Sequence, residues 1–538
     1  MTGGRGRPGP AAADDPERSR LLGVAADALK RGALPEVEHA CRLVLARSPD
    51  HPDALNLLGL AALGRNRGAE AIDALAKAAS RAPKSAMIRC NLAFAYRSAG
   101  RLEDAAREAR RALRLDPNLT AAHTVLGTSL ADLDRPEEAL APLMQALERA
   151  PGLGRVLLAL GRTLRALGRD DEARQRYEEA VGANPRFGDA WVGLGWLHVE
   201  QRRYDDAVRC FKAGLVARRA SRWWPGDGTP PAPPGPPVPL NSPKLAHDIE
   251  QFGFLVAEGL LPAEFTQIAA AYGAFKDEVE RLHGEAATVA LAATELGQIG
   301  ESYARVVHWR ETPTHEGPVL GEGWDRREIE RRYAVPPGIC RVDGLLTPRA
   351  LDDLRRFCLD STIWNDVGHN FKEDATRHAY LGTYAGDGFC CPLLFQIAED
   401  LTRALPAIFK DHRLRQMWAY KYEPRLEGIG IHGDNAAINV NFWVTPDEAN
   451  LDPESGGLVV YPVEAPAAWD FDDYNKDRKK IRRFLEGSGV KPVNVPYRQN
   501  RAVIFNSDLF HATAPLDFKP GYENRRINVT MLFGRRHG

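Results

Sequence analysis

A chain of 538 residues exceeds what one hydrophobic core sustains, so it divides into two or three domains. An apolar fraction of 44% and a charged fraction of 27% are those of a globular protein, and a formal net charge of −1 supplies no field for nucleic acid or an acidic membrane. No apolar run approaches the ~18 residues of a membrane span. Seven scattered cysteines without a CxxC pair argue against a disulfide framework or a thiolate zinc site, so a reducing cytoplasm is the expected compartment. The adjacent Cys390-Cys391 reads as core packing, and the basic runs Arg478-Lys479-Lys480 and Arg535-Arg536 read as solvated surface.

Residues 1–17 are rich in Gly, Pro, Ala and Asp and lack an apolar h-region, which reads as a disordered tail rather than a signal peptide. Beyond them a repeat governs the chain. Prolines stand at 49, 83, 117, 151 and 185, each 34 residues after the last. Before them recur the small residues Ala71, Ala105, Ala139 and Ala173, and before those Leu58-Gly59, Leu92-Ala93, Leu126-Gly127 and Leu160-Gly161. A sixth unit carries Trp191, Leu194-Gly195, Ala207 and Phe211. The pattern resembles the tetratricopeptide repeat, whose unit is a pair of antiparallel helices. Small residues let the two helices approach, large ones fill the holes, and proline stops the second helix before the next unit. Residues 18–218 are therefore expected to form an α-solenoid of about six repeats. An inert spacer is the plainer use of such a rod; gripping a protein or peptide partner in its groove is the usual one.

Residues 219–244 include WPGDGTPPAPPGPPVPLNSP, whose proline density forbids helix and ladder and predicts a stiff linker. Residues 245–332 read as mainly helical, with no function to assign. From 333 to 538 the texture changes: after helices at Pro348–Leu359 and Leu393–Phe409 come RQMWAYKY, INVNFWV, GLVVYP, VNVPY, RAVIF and RINVTMLF, short strands punctuated by Gly, Pro, Asn and Asp. Such a series predicts a jelly-roll or cupin-like barrel with flanking helices, and the whole chain is multidomain α + β.

Within the strands stands His432-Gly433-Asp434. Read as a strand, i and i+2 share a face, so the imidazole and carboxylate converge on one ion. His511 follows RAVIFNSDLF and is expected at the end of that strand. Two imidazoles and one carboxylate leave three positions open on an octahedral ion, as non-haem Fe(II) oxygenases require. An isolated HxD is common by chance, and its plainer reading is a surface dipeptide. His283-Gly284-Glu285 is a weaker candidate because i and i+2 diverge on a helix, and His369 and His378 lie in polar loop sequence. Alternation along Arg526-Ile527-Asn528-Val529-Thr530 puts Arg526, Asn528 and Thr530 on one face, where a polar stripe is costly unless something satisfies it. A guanidinium there could clamp the far carboxylate of a dicarboxylate, and parity favours Arg526 over its neighbour Arg525; the plainer reading is a rim arginine in a surface ion pair.

In order and rough spacing, His432-Gly433-Asp434, Gly456-Gly457-Leu458, His511 and Arg526-Ile527-Asn528-Val529-Thr530 make residues 333–534 resemble the 2-oxoglutarate and Fe(II)-dependent dioxygenases, particularly the prolyl 4-hydroxylase branch. The resemblance implies a double-stranded β-helix, Fe(II) held by His432, Asp434 and His511, 2-oxoglutarate and O₂ as co-substrates, and ascorbate as an auxiliary reductant. It implies that Arg526 binds the co-substrate with help from Asn528 and Tyr422, although Asn528 departs from the hydroxyl residue usual at its position. Because Asp434 supplies a carboxylate, hydroxylation of a C–H bond is expected rather than halogenation, on a peptide or protein brought by the repeats. The alternatives are an oxygenase of small metabolites or carrier-bound intermediates, a Zn²⁺ or Mn²⁺ cupin, and a non-catalytic adaptor with an inert barrel. The insertion at 463–495 is expected either to cover the mouth of the site or to be a surface loop.

Overall fold

The computed structural model describes residues 16–219, 238–284, 288–291, 296–300, 302–312, 314–367, 380–426 and 429–536. Residues 1–15 of the expected disordered tail, most of the proline-rich linker, His369, His378 and Glu285 lie outside them, whereas residues 16 and 17 of that tail are helical. The chain divides into two compact units, 1–185 and 186–538.

The first unit is made of helix pairs: Pro16–Lys30 and Leu34–Arg47 (α1, α2), Pro52–Gly64 and Gly68–Arg81 (α3, α4), Ala86–Ser98 and Leu102–Leu115 (α5, α6), Thr120–Asp132 and Pro136–Arg149 (α7, α8), and Gly154–Ala166 and Asp170–Ala183 (α9, α10). The second helix of each pair ends two residues before the periodic proline, as expected of a residue that cannot continue it. Within a pair, the glycine of the first helix meets a large side chain of the second. A Cβ on Gly59 would stand 2.6 Å from Leu75, and Gly127 and Gly161 abut Leu143 and Tyr177 in the same way. The periodic alanines 71, 105, 139 and 173 are fully buried at these seams.

A sixth pair, Gly188–Glu200 and Tyr204–Arg219 (α11, α12), keeps the period but belongs to the second unit. The solenoid read from the repeats runs to 218, whereas the compact boundary falls at 185. The reason is packing: Val208, Phe211 and Leu215 bury in one core with Leu394, Phe395 and Ile397. Tyr204 stacks on Phe395 with ring centroids 5.4 Å apart, and Arg202 pairs with Glu399 at 3.0 Å.

Next come a short strand Val238–Asn241 (β1), helices Ser242–Ala257 (α13) and Phe265–His283 (α14), and a strand Thr288–Leu291 (β2) antiparallel to β1. The region expected to be mainly helical thus contains half of a two-stranded ribbon, and the other half, β1, falls within the expected linker. Helix α15 (Arg326–Tyr333) leads to β3 (Ile339–Asp343), α16 (Pro348–Asp360), β4 (Asp366–Val367), β5 (Tyr380–Tyr384), α17 (Pro392–Ala404) and α18 (Pro406–Phe409). The strands then dominate: β6 (Leu414–Tyr422), β7 (Arg425–Leu426), β8 (Ile438–Trp443), β9 (Leu458–Glu464), β10 (Val493–Val495), β11 (Arg501–Asn506), β12 (Leu509–Thr513), β13 (Leu516–Asp517) and β14 (Ile527–Phe533). A π turn, Asp472–Lys476, and helix α19, Arg478–Ser488, interrupt them between β9 and β10.

The larger sheet has seven strands in the order β3-β11-β8-β14-β6-β5-β4, and a three-stranded sheet has the order β10-β9-β12. Every pairing is antiparallel. On the larger sheet Val440, Phe442, Val529, Met531 and Ile504 share a core with Leu354 and Phe357 of α16 and Phe395 of α17. The alternate residues Tyr422, Trp443, Val503 and Phe505 share a second core with Leu458, Val460 and Leu509 of the smaller sheet. The site lies on this inner side.

Candidate metal centre

His432, Asp434 and His511 converge: one donor atom from each lies within 4.8 Å of the other two, and among the described residues they are the one such grouping of His, Cys, Asp or Glu. Nε2 of His511 stands 3.4 Å from Asp434 Oδ2, and Nε2 of His432 stands 3.8 Å from Oδ1. Donors about 2.1 Å from a shared ion stand about 3–4 Å apart, so the spacing fits one metal.

The backbone that brings them together differs from the expected strand. His432 makes an isolated bridge with His511, their backbone N–H and C=O groups exchanging bonds of 3.0 and 2.9 Å, and Gly433 and Asp434 lie in non-strand chain ahead of β8. His511 is not at the end of the RAVIF strand either. β11 stops at Asn506, whose Oδ1 accepts from the Asp508 N–H at 3.0 Å, and the chain crosses to the smaller sheet, where His511 is the middle residue of β12.

Second-layer contacts orient the donors. His432 Nδ1 lies 2.8 Å from the Gly430 carbonyl and His511 Nδ1 3.2 Å from the Leu509 carbonyl. A carbonyl only accepts, so each Nδ1 carries a proton and each Nε2 is directed toward the carboxylate, the atom free to ligate once it has no proton. Burial, aided by the neighbouring His511, pushes the His432 imidazole down to about 4, which keeps it neutral and able to ligate. Burial works to raise the Asp434 carboxyl, yet the two imidazoles and the Asn439 amide hold it below the ordinary carboxylate range. Asn439 Nδ2 donates to Asp434 Oδ2 at 2.7 Å.

From Asn439 a polar line runs across the inner face. Asn441 donates to Asn439 Oδ1, Asn528 Nδ2 donates to Asn441 Oδ1 at 2.9 Å, and Thr530 donates to the same oxygen at 2.7 Å. Asn439 and Asn441 alternate with Val440 and Phe442 in INVNFW, a parity signal that the sequence reading passed over. Asn528 Oδ1 is buried without a partner among the described residues.

Arg526 lies one residue ahead of β14, on the same parity as Asn528, and is 1% exposed. Its Nε donates to the Gly456 carbonyl at 2.6 Å and one Nη to the Gly457 carbonyl at 3.3 Å; the other Nη has no partner of ordinary hydrogen-bond geometry, though the Tyr422 phenol interacts with the guanidinium. No carboxylate of the described residues pairs with it. Burial lowers its pKa, but a guanidinium remains charged, so a cation is held here without an anion. Its Cζ lies 4.7 Å from the Tyr422 ring centroid and 5.5 Å from that of Trp443. Tyr422 is buried beside it, with its hydroxyl 3.5 Å from Thr513 Oγ1, and Thr513 shares the β12 face of His511. Arg525 is also buried, but its guanidinium is neutralised by Glu250 at 2.8 Å and Glu423 at 2.6 Å.

All seven cysteines are free and buried, and no helix of the described residues is long and apolar enough to cross a membrane.

Family models of the tetratricopeptide repeat match residues 25–86, 86–119 and 158–222, so the helix pairs in those segments are tetratricopeptide repeats, a class that generally mediates protein or peptide binding. Solved structures similar to the chain include residues 41 to the end of MamA from Desulfovibrio magneticus (19% identity, 32% of this chain and 97% of that one, TM-score 0.30). Pseudomonas aeruginosa pilF is similar at 19% identity, covering 39% and 93% of the two chains with a TM-score of 0.34. YrrB, described as a tetratricopeptide repeat protein with an unusual peptide-binding site, is similar at 18% identity over 33% and 92%, with a TM-score of 0.29. No curated protein matches the chain significantly.

Proposed function

We propose that residues 333–538 form a double-stranded β-helix that catalyses an Fe(II)- and 2-oxoglutarate-dependent hydroxylation, and that the repeats recruit its protein or peptide substrate. The observation that carries this reading is the pairing of two features on one inner face. Three donors of a 2-His-1-carboxylate set lie there, and so does a buried guanidinium with an unpartnered Nη. A zinc or manganese cupin would need the donors but has no use for an uncompensated buried cation, which costs several kcal/mol.

In this reading His432, Asp434 and His511 hold Fe(II), and Arg526 meets the far carboxylate of 2-oxoglutarate. The metal and co-substrate, when bound, supply the oxidising power that converts C–H and O₂ to C–OH, with succinate and CO₂ as co-products. The protein's own part is preorganisation. Gly430 and Leu509 keep the imidazole protons on Nδ1, Asn439 orients the Asp434 carboxylate, and Trp443 and Tyr422 enclose Arg526 away from water. Free Nη and Asn528 Oδ1 positions leave hydrogen-bonding capacity for a ligand.

In the first unit a cleft of about 120 Å³ is lined by Phe94, Arg97, Thr128, Asp132, Arg155 and Arg162 from α5, α7 and α9, and it is the surface to which a substrate segment would bind. Anaerobic addition of Fe(II) and 2-oxoglutarate tests the reading: a weak visible charge-transfer band, followed by succinate when air and cell lysate are admitted, is the expected result. Absence of both, with partners still captured by the repeats, would establish the adaptor instead.

A further inference from the structure

The insertion between β9 and β10 reads from sequence as a cover for the site or as a surface loop, and its contacts reach the metal-type ligands themselves. Gly433, the residue between two of the metal-type ligands, donates its N–H to the Tyr474 carbonyl at 2.8 Å, and its own carbonyl accepts from Asn475 Nδ2 at 2.8 Å. Gly433 has no strand ladder to satisfy these groups, so among the described residues the insertion alone satisfies both of its backbone polar groups, one in each flanking peptide unit. Tyr474 and Asn475 sit in the π turn Asp472–Lys476, a rare backbone form concentrated at functional places.

The same insertion holds the third ligand from behind. Phe510, fully buried beside His511, packs with its ring centroid 6.0 Å from both Trp469 and Phe484, in a core completed by Ile481 and Leu485. Arg536 ties the base down: its guanidinium lies 4.0 Å from the Tyr474 ring centroid and bonds Asp508 at 2.5 Å and the Ala465 carbonyl at 2.9 Å.

We propose that this insertion is a latch that sets the metal ligands, with Asn475 as its positioning residue. The inference rests on the metal reading of His432, Asp434 and His511. Ligand-orienting contacts outside the coordination shell typically change metal affinity by about 10–100-fold. Linkage is reciprocal, so a metal must tighten the latch by the factor by which the latch tightens the metal.

Mn(II), which needs neither co-substrate nor O₂, is the probe. Its dissociation constant is measured for the full-length wild type and for Asn475→Ala, and hydrogen exchange across 472–488 is followed with and without it. The expected result is a dissociation constant about 10-fold or more higher in the variant, with Mn(II) slowing exchange across 472–488 in the wild type. Equal affinity in the two proteins overturns the latch while leaving the metal centre standing. Should Asn475→Ala fail to fold, exchange in the wild type that is indifferent to Mn(II) overturns it alone. A wild type that takes up no Mn(II) removes the metal reading and the latch together.

Discussion

The two faces of the seven-stranded sheet are built from alternate residues of the same strands, and they obey different rules. The outer face, with Val440, Phe442, Val529 and Met531 against α16 and α17, is mainly apolar; of its buried polar groups, Lys421 Nζ donates to the Cys358 carbonyl and the Tyr522 hydroxyl, and the Thr383 hydroxyl lacks a partner among the described residues. The inner face is buried too, yet Arg526 Nη1, Asn528 Oδ1 and the indole N–H of Trp443 and Trp418 have no partner among the described residues. Each stranded polar group costs about 1–3 kcal/mol, and a buried unpaired charge costs more. The inner face strands more polar groups, among them a guanidinium nitrogen, which is the mark of a surface completed by a ligand.

The sharpest way to break this contrast is to remove a donor. Asp434→Ala should lower Mn(II) or Fe(II) affinity by about 1000-fold or more, since it takes away the one anionic ligand. Thermal unfolding of the metal-free protein should reflect only the lost Asn439 hydrogen bond, about 1–3 kcal/mol. An unchanged metal affinity would mean that the inner face is not a metal site.

On the other face the effects should invert. Phe442 is fully buried, and Phe442→Ala should cost about 3–5 kcal/mol of stability by transfer and cavity terms. The metal and 2-oxoglutarate affinities of the folded fraction should stay within a few-fold of the wild type. A loss of ligand affinity larger than the loss of stability would show that the faces are not separable.

How much of this was legible in the sequence follows the range of the contacts. The repeats were legible because each unit restates the same evidence and their seams are local: Gly59 meets Leu75 and Gly161 meets Tyr177, each 16 positions on. The inner parity of Arg526 was legible because its alternation runs unbroken into β14. The convergence of His432 with Asp434 was expected for the wrong reason, since a bridge to His511 and the latch on Gly433 produce it, and no local pattern announces either. The Asn506-Ser507-Asp508 turn that separates His511 from β11 did carry a signal in its residue types. Region 245–332 was opaque because its polar letters are buried: Asp248 pairs with Lys244 of the preceding segment, and Gln251 donates to the Leu359 and Ser361 carbonyls at 3.1 and 3.0 Å. β1 and β2 pair across two helices, a distance over which no turn motif speaks.

Neighbouring arginines sharpen the comparison further. Arg526→Leu removes an unpaired buried cation, so the ligand-free protein should become more stable by about 1–3 kcal/mol, while 2-oxoglutarate affinity falls about 100-fold. Arg525→Leu should do the opposite. It strips Glu250 and Glu423 of their partner and unties α13 from β14, lowering stability by about 1–3 kcal/mol, with a smaller change in 2-oxoglutarate affinity. Paired calorimetric melting and co-substrate titration would separate the two, and matching responses would defeat the assignment of Arg526.

Tyr422→Phe should have the smallest effect of the series. The hydroxyl is 3.5 Å from Thr513 Oγ1, long for a hydrogen bond, so little native stability depends on it. The ring that flanks Arg526 is kept by phenylalanine, so the packing term survives. If the hydroxyl contacts bound 2-oxoglutarate, its loss should raise the dissociation constant about 3–10-fold, the range of one neutral hydrogen bond. An affinity equal to that of the wild type would restrict Tyr422 to walling off the guanidinium. A loss as large as that of Arg526→Leu would instead mean that the phenol, rather than the cation, bears the co-substrate carboxylate.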